Sequence, residues 1–185
     1  MMSNSSHNFE NGMPKSRTRS MVYCALMVAV IVCFSLISIP TVWGIPFTLQ
    51  SLAILLAGFV LGIKKGTVCT LAYLLLGVIG VPVFASFKGG VGVVLGPTGG
   101  FLIGFIPMVI SAGWSRKFKS SALRILLGCI GVLSCHILGL IWFSIISNTT
   151  VWQGFLVTSA PYLAKDIASC FFAHYISLRL VRLMK

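Results

Sequence analysis

Lys165 and Asp166 stand side by side in a stretch of otherwise apolar sequence, shortly after Pro161. Asp166 is the only acid after Glu10. Ionisable side chains inside an apolar span are costly, and they face a protein interior or a cavity with a partner. One use of the pair is as a polar anchor for a substrate. A structural ion pair between helices, or a hydrated pair near the outer interface, are the other two. Neighbours on a helix point about 100° apart, so the two need not contact each other.

The remaining reactive side chains narrow the chemistry. His136 and His174 lie in apolar runs, where a lone histidine is more often a hydrogen-bonded structural residue than a proton relay. With no second acid beside Asp166, a carboxylate pair for acid–base work is absent, and no GxSxG nucleophile motif occurs. The six cysteines form no CxxC and lie in apolar stretches, where cysteine acts as a small hydrophobe. An enzyme is therefore not expected, nor a metal site.

A Gly-rich segment holds Gly89, Gly90, Gly92, Gly96-Pro97, Gly99 and Gly100. Glycine allows left-handed backbone and close approach. A lid over a site and tight packing against helices both fit. A nucleotide loop does not, since no GxxxxGK[ST] occurs. Uphill transport would draw on an ion gradient or a separate ATPase. Ala25 and Ala29 form a small-xxx-small pair, a pattern that lets helices approach closely in lipid, either within the chain or with a partner.

The elements that must carry these residues follow from composition. The 185 residues are 57% hydrophobic and 9% charged, against about 25% charged in a soluble domain. So little polar surface points to the lipid bilayer as solvent. Continuous apolar runs, rather than alternation, favour helices over a barrel. Six spans are expected, at about 21–39 (stopped by Pro40), 48–62, 66–80, 97–114, 125–146 and 155–178. The second and third are short. The segment 85–96 reads as irregular backbone at membrane depth. Residues 1–20 form a polar cytoplasmic tail, and 21–185 a six-helix membrane domain.

Charge tests this layout. The net charge is +12. With the N-terminus inside, inside segments hold Lys15, Arg17 and Arg19; Lys64 and Lys65; Arg116, Lys117, Lys119 and Arg124; and Arg179, Arg182 and Lys185. Only Lys88 and Lys165 depart from the positive-inside rule, so both termini are expected in the cytoplasm. The basic clusters are topology signals, not a nucleic-acid surface. Trp43, Trp142 and Trp152 fall near outer boundaries and Trp114 near an inner one.

Three motifs in order carry a resemblance. PFTLQ at 46–50 precedes an apolar stretch with Ala57-Gly58. GxPVFA ends at Ala85, followed by Gly89-Gly90. GPTGG spans 96–100. Together they resemble the BioY family, the biotin-specific substrate-binding (S) components of energy-coupling factor (ECF) transporters, over roughly residues 20–180. The resemblance implies an S-component fold in the cytoplasmic (inner) membrane of a prokaryote, with biotin bound near the outer face. It implies a transmembrane coupling subunit and two ABC ATPases as partners, with ATP used by those partners only, and no cofactor in this chain. Ala25 and Ala29 match the AxxxA contact with the coupling subunit. Pro161 and Asp166 match the family's last-span Pro and Asp. The family Lys three residues further is Ser169 here, while Lys165 precedes the acid. The resemblance thus implies Asp166 and Lys165, with Ser169 one turn on, at the ligand. Phe84, Tyr73 and Tyr162 would give apolar walls. Lys88 or the backbone of Gly89, Gly90 and Gly92 would meet the carboxylate. The alternative is a solitary or ion-coupled carrier for biotin or a related small vitamin, with Lys165 and Asp166 as a charge relay.

Overall fold

The computed structural model describes residues 15–41 and 45–183. Its described residues are mainly helical, with one pair of two-residue strands. The helices are α1 (Lys15–Leu36), α2 (Gln50–Val78), α3 (Val91–Leu95), α4 (Gly99–Trp114), α5 (Ser121–Ile146), α6 (Val151–Thr158) and α7 (Ala160–Leu183). Strands β1 (Ser38–Ile39) and β2 (Phe47–Thr48) pair antiparallel, with Ser38 opposite Thr48. Most of the expected tail 1–20, together with Trp43 and Lys185, lies outside the described residues.

The first span differs at both ends from the expectation. Helix α1 begins at Lys15, six residues before the apolar run, and it stops at Leu36 rather than at Pro40. Ser38 and Ile39 leave the helix to pair with β2. Their backbone groups are thereby satisfied by a ladder instead of a last helical turn.

The expected second and third spans form the two halves of α2. Gly62 has φ +79° and ψ −177°, a conformation that only glycine adopts without strain. It folds the helix back on itself. In a straight helix Gln50 and Tyr73 would lie about 34 Å apart. Here Gln50 Nε2 donates to Tyr73 Oη at 2.6 Å. A Cβ on Gly66 would sit 3.0 Å from the Ala57 carbonyl oxygen, so the halves run in close antiparallel contact. Lys64 and Lys65 occupy the turn.

Helix α4 packs chiefly against α5 and α2. Small residues make this possible. A Cβ on Gly58 would meet Val109 O at 2.8 Å, and one on Gly113 would meet Ile63 N at 2.6 Å. On the other face, Gly104 lies against Cys135 and Gly131 against the Met108 backbone. Lipid supplies little hydrophobic drive between helices, so such close backbone approach is the source of cohesion. The core they enclose includes Ile31, Ile54, Phe59, Tyr73, Met108 and Val132.

The segment expected as a sixth span is broken. The apolar run 155–178 is not one helix: α6 ends at Thr158 and α7 starts at Ala160. Pro161 has no N–H to continue the ladder. Ser159, with φ −114°, takes the break, and Leu163 N bonds to Ser159 O at 2.8 Å. The segment 85–96 is also more ordered than expected. It forms a single helical turn at Ala85–Phe87 and then α3, and Trp142 Nε1 donates to Gly96 O at 2.9 Å.

Among the described residues, three helices are long and apolar enough to cross a membrane: Thr18–Leu36 within α1, α2 and α5. Helix α4 has 16 residues, about 24 Å, which is less than the roughly 30 Å hydrocarbon core. Helix α7 is long but carries Lys165 and Asp166. The turn of α2 and the basic segment after α4 lie together, since a Cβ on Gly62 would be 3.1 Å from Arg116 Nη1. The start of α2 and the segment after its end therefore share the opposite end of the molecule.

Candidate functional site

That opposite end holds a cavity of about 250 Å³. Its polar floor comes from α2 (Gln50, Ser51), α5 (His136), α6 (Thr158) and α7 (Lys165, Asp166). Apolar walls come from Ile45 and Pro46 before α2, from Phe84 before α3, and from Phe101, Leu102 and Phe105 on α4. Tyr162 closes a side, and Lys88 stands at the exposed rim.

The floor is built around Asp166, which is 9% exposed. Its Oδ1 lies 2.5 Å from Lys165 Nζ and accepts from Ser51 Oγ. Its Oδ2 lies 3.1 Å from His136 Nε2. Lys165 Nζ also donates to Thr48 O at 2.6 Å and to Ser51 Oγ at 3.2 Å, and it sits 5.0 Å from the Phe47 ring centroid. The pair is therefore mutual, although the two residues are adjacent on the helix. The flexible lysine stem closes the 100° between them.

The wall segments are tied to the same floor. Tyr162 Oη donates to Ile45 O at 2.5 Å, and Thr41 Oγ1 donates to the same oxygen at 2.6 Å. Ser86 N donates to Ser38 Oγ at 2.9 Å, which fastens the turn after Phe84 to β1. Helix α7, the β hairpin and the Gly-rich segment thus converge on one cavity.

Of the residues expected at a ligand, the structure brings together Asp166, Lys165, Tyr162, Phe84, Lys88 and Gly92. Tyr73 does not line the cavity. It is fully buried behind it, bonded to Gln50 Nε2 and 2.8 Å from Ser35 Oγ, and its ring stands edge-on to Phe84. Ser169 is also buried away from the cavity, 4% exposed. Gly89 and Gly90 shape the loop instead. A Cβ on Gly89 would strike Val81 O, and Gly90, at φ +93°, donates its N–H to Gly77 O at 2.6 Å.

Sequence reasoning missed His136, Ser51 and Phe101 as lining residues. Gln50 fell inside the PFTLQ motif without being singled out. For His136 the signal was present but unresolved. A lone buried acid calls for partners, and a histidine in an apolar run can supply one. His174 is the one that does not reach it, packing instead edge-on against Phe59 at 5.7 Å.

Chemically, this arrangement can bind. It pairs a few placed polar groups with apolar walls, the usual makeup of a small-molecule pocket. Among the described residues no group of three or more His, Cys, Asp or Glu side chains is placed to hold a metal.

The chain is similar to known proteins over most of its length. The BioY family model matches residues 4–185. A biotin transporter BioY of Thermotoga maritima is 36% identical over 166 residues, covering 89% of this chain and 97% of that protein. A probable biotin transporter BioY of Pyrococcus horikoshii is 35% identical over 156 residues, covering 84% and 92%. The 2.1 Å crystal structure of the S-component for biotin from an ECF-type ABC transporter superposes with a TM-score of 0.85 at 26% identity, covering 92% of this chain and 94% of that one.

Proposed function

The chain belongs to the BioY family, and from that premise we propose that it captures biotin in the cavity above Asp166 as the substrate-binding subunit of an ECF-type uptake system. The carrying observation is the cavity itself: one buried carboxylate at its floor, aromatic walls, and a single exposed cation, Lys88, at its rim.

Biotin matches that gradient from floor to rim. Its ureido ring offers N–H donors to the Asp166 carboxylate and a carbonyl to donors such as the Gln50 amide. Its thiophane ring and valeryl chain suit Phe84, Phe101 and Tyr162. Its carboxylate suits Lys88 and the backbone about Gly92. The charges also balance. Lys165 and Asp166 neutralise each other, which leaves Lys88 to meet an anion. Lys165 lies at the floor beside Asp166, and Ser169 stays behind it.

The transport reading extends to topology and partners. Six crossings arise if the halves of α2 are counted separately and α6 with α7 forms the last. The termini and the basic turns then lie in the cytoplasm, and the cavity lies toward the outer face. The sequence contains no nucleotide-binding loop, so ATP hydrolysis belongs to partner ATPases. Ala25 and Ala29 are both exposed on α1, which supports this face as the contact with a coupling subunit.

Uptake of labelled biotin by a biotin-auxotrophic bacterium lacking its own transporter tests this reading. Expression with a coupling subunit and its two ATPases should restore uptake, and an ATPase-dead module should abolish it. Uptake unaffected by the dead module, yet lost when the ion gradient is collapsed, would replace the reading with an ion-coupled carrier.

A further inference from the structure

The hydrogen bonds at the cavity floor leave little unassigned. A carboxylate has about four lone-pair sites. On Asp166, Oδ1 receives Ser51 Oγ and Lys165 Nζ, and Oδ2 receives His136 Nε2. One acceptor site remains, on Oδ2. Lys165 has three N–H groups. The ammonium donates to Thr48 O at 2.6 Å and to Ser51 Oγ at 3.2 Å, and it lies 2.5 Å from Asp166 Oδ1. The lysine is thereby turned onto the groups of the floor itself.

His136 is held just as closely. It is 6% exposed, its Nδ1 lies 3.4 Å from Ser159 Oγ, and the Phe101 ring stands edge-on at 5.8 Å and 85°. The carboxylate can only accept, so Nε2 must carry the proton. In the neutral ring Nδ1 then accepts from the Ser159 hydroxyl. Ser159 sits at the break between α6 and α7, so the break supplies the second partner of the ring.

We propose that His136 is a positioning residue for ligand capture: its Nε2–H holds Asp166 Oδ2 so that the one remaining acceptor site faces the cavity and selects ligands that present an N–H donor. The inference rests on the biotin-binding reading above. The side chain that aims the carboxylate comes from α5, thirty residues before it, and not from α7.

The test measures equilibrium binding of biotin, and of biotin methylated on a ureido nitrogen, to the detergent-purified full chain. His136→Phe keeps the ring and its packing on Phe101 but removes the donor. His136→Gln restores an amide N–H near the Nε2 position, whereas His136→Asn reaches only the Nδ1 position. Wild type should prefer biotin over the methylated probe. His136→Phe and His136→Asn should lose at least tenfold in biotin affinity and most of that preference. His136→Gln should recover both to within about threefold of wild type. If His136→Phe does not fold, the comparison of Gln with Asn decides. Equal affinity and equal preference in all folded variants would overturn the positioning role and leave the biotin reading standing. Absence of biotin binding by wild type would overturn both.

Discussion

Lys165 Nζ lies 2.5 Å from Asp166 Oδ1, and the same ammonium reaches Thr48 O at 2.6 Å. Two neighbours on α7 thereby close an ion pair over the start of α2. The pair anchors the cavity floor and fixes the segment that enters α2. Buried pairs of this kind are strongly destabilising to break one-sidedly, about 3–5 kcal/mol, because the partner charge is left uncompensated.

A double-mutant cycle should therefore reveal coupling. Lys165→Met and Asp166→Asn are each expected to lower unfolding stability, and Lys165→Met/Asp166→Asn should lose less than the sum by at least about 1 kcal/mol. Thermal or denaturant unfolding in detergent reads the difference. Costs that add to within about 0.5 kcal/mol would show that the two charges do not act as a pair.

Gly62→Ala should destabilise the chain by about 1–3 kcal/mol. It places a Cβ at φ +79°, where L side chains are strained, and against the Arg116 side chain. A lower midpoint of thermal unfolding, with biotin affinity retained in the folded fraction, is the expected outcome. An unchanged midpoint would mean that α2 does not turn at this residue.

How much of this was legible in the sequence depended on punctuation. The turn of α2 was marked by Gly62 and Lys64-Lys65, and the start of α4 by the GPTGG motif, so those boundaries fell where the apolar runs stop. The break at Ser159 was not read. Hydropathy passes smoothly over it, and only the missing N–H of Pro161 betrays it. Asp166 was legible because it is the lone acid in an apolar setting. His136 was not, because nothing local to a histidine tells which distant carboxylate it meets. The position of Tyr73 behind the cavity was not legible for a related reason: a tyrosine facing a cavity and one bonded behind it, to Gln50 and Ser35, have the same sequence signature.

That position yields a prediction. Tyr73→Phe removes the hydroxyl shared by Gln50 and Ser35 in a fully buried position. It should cost about 1–3 kcal/mol of stability, the penalty for leaving buried polar groups unpaired. Biotin affinity, measured on the same preparation, should shift by less than about fivefold, or about 1 kcal/mol. A loss of binding with stability intact would return Tyr73 to the ligand.

On α1, Ala29→Trp should abolish copurification with a coupling subunit and its ATPases while leaving biotin binding by the isolated chain unchanged. Ala29 is exposed and lies away from the cavity, so the bulky ring obstructs only an external helix. Intact assembly in this variant would place the contact elsewhere.

Equilibrium titration of labelled biotin into the purified chain, with no other subunit present, compares wild type with Asp166→Asn. Wild type should bind saturably at one site per chain, and Asp166→Asn should lose at least tenfold, about 1.4 kcal/mol. No saturable binding by wild type, or equal affinity in the two proteins, would contradict biotin capture at Asp166.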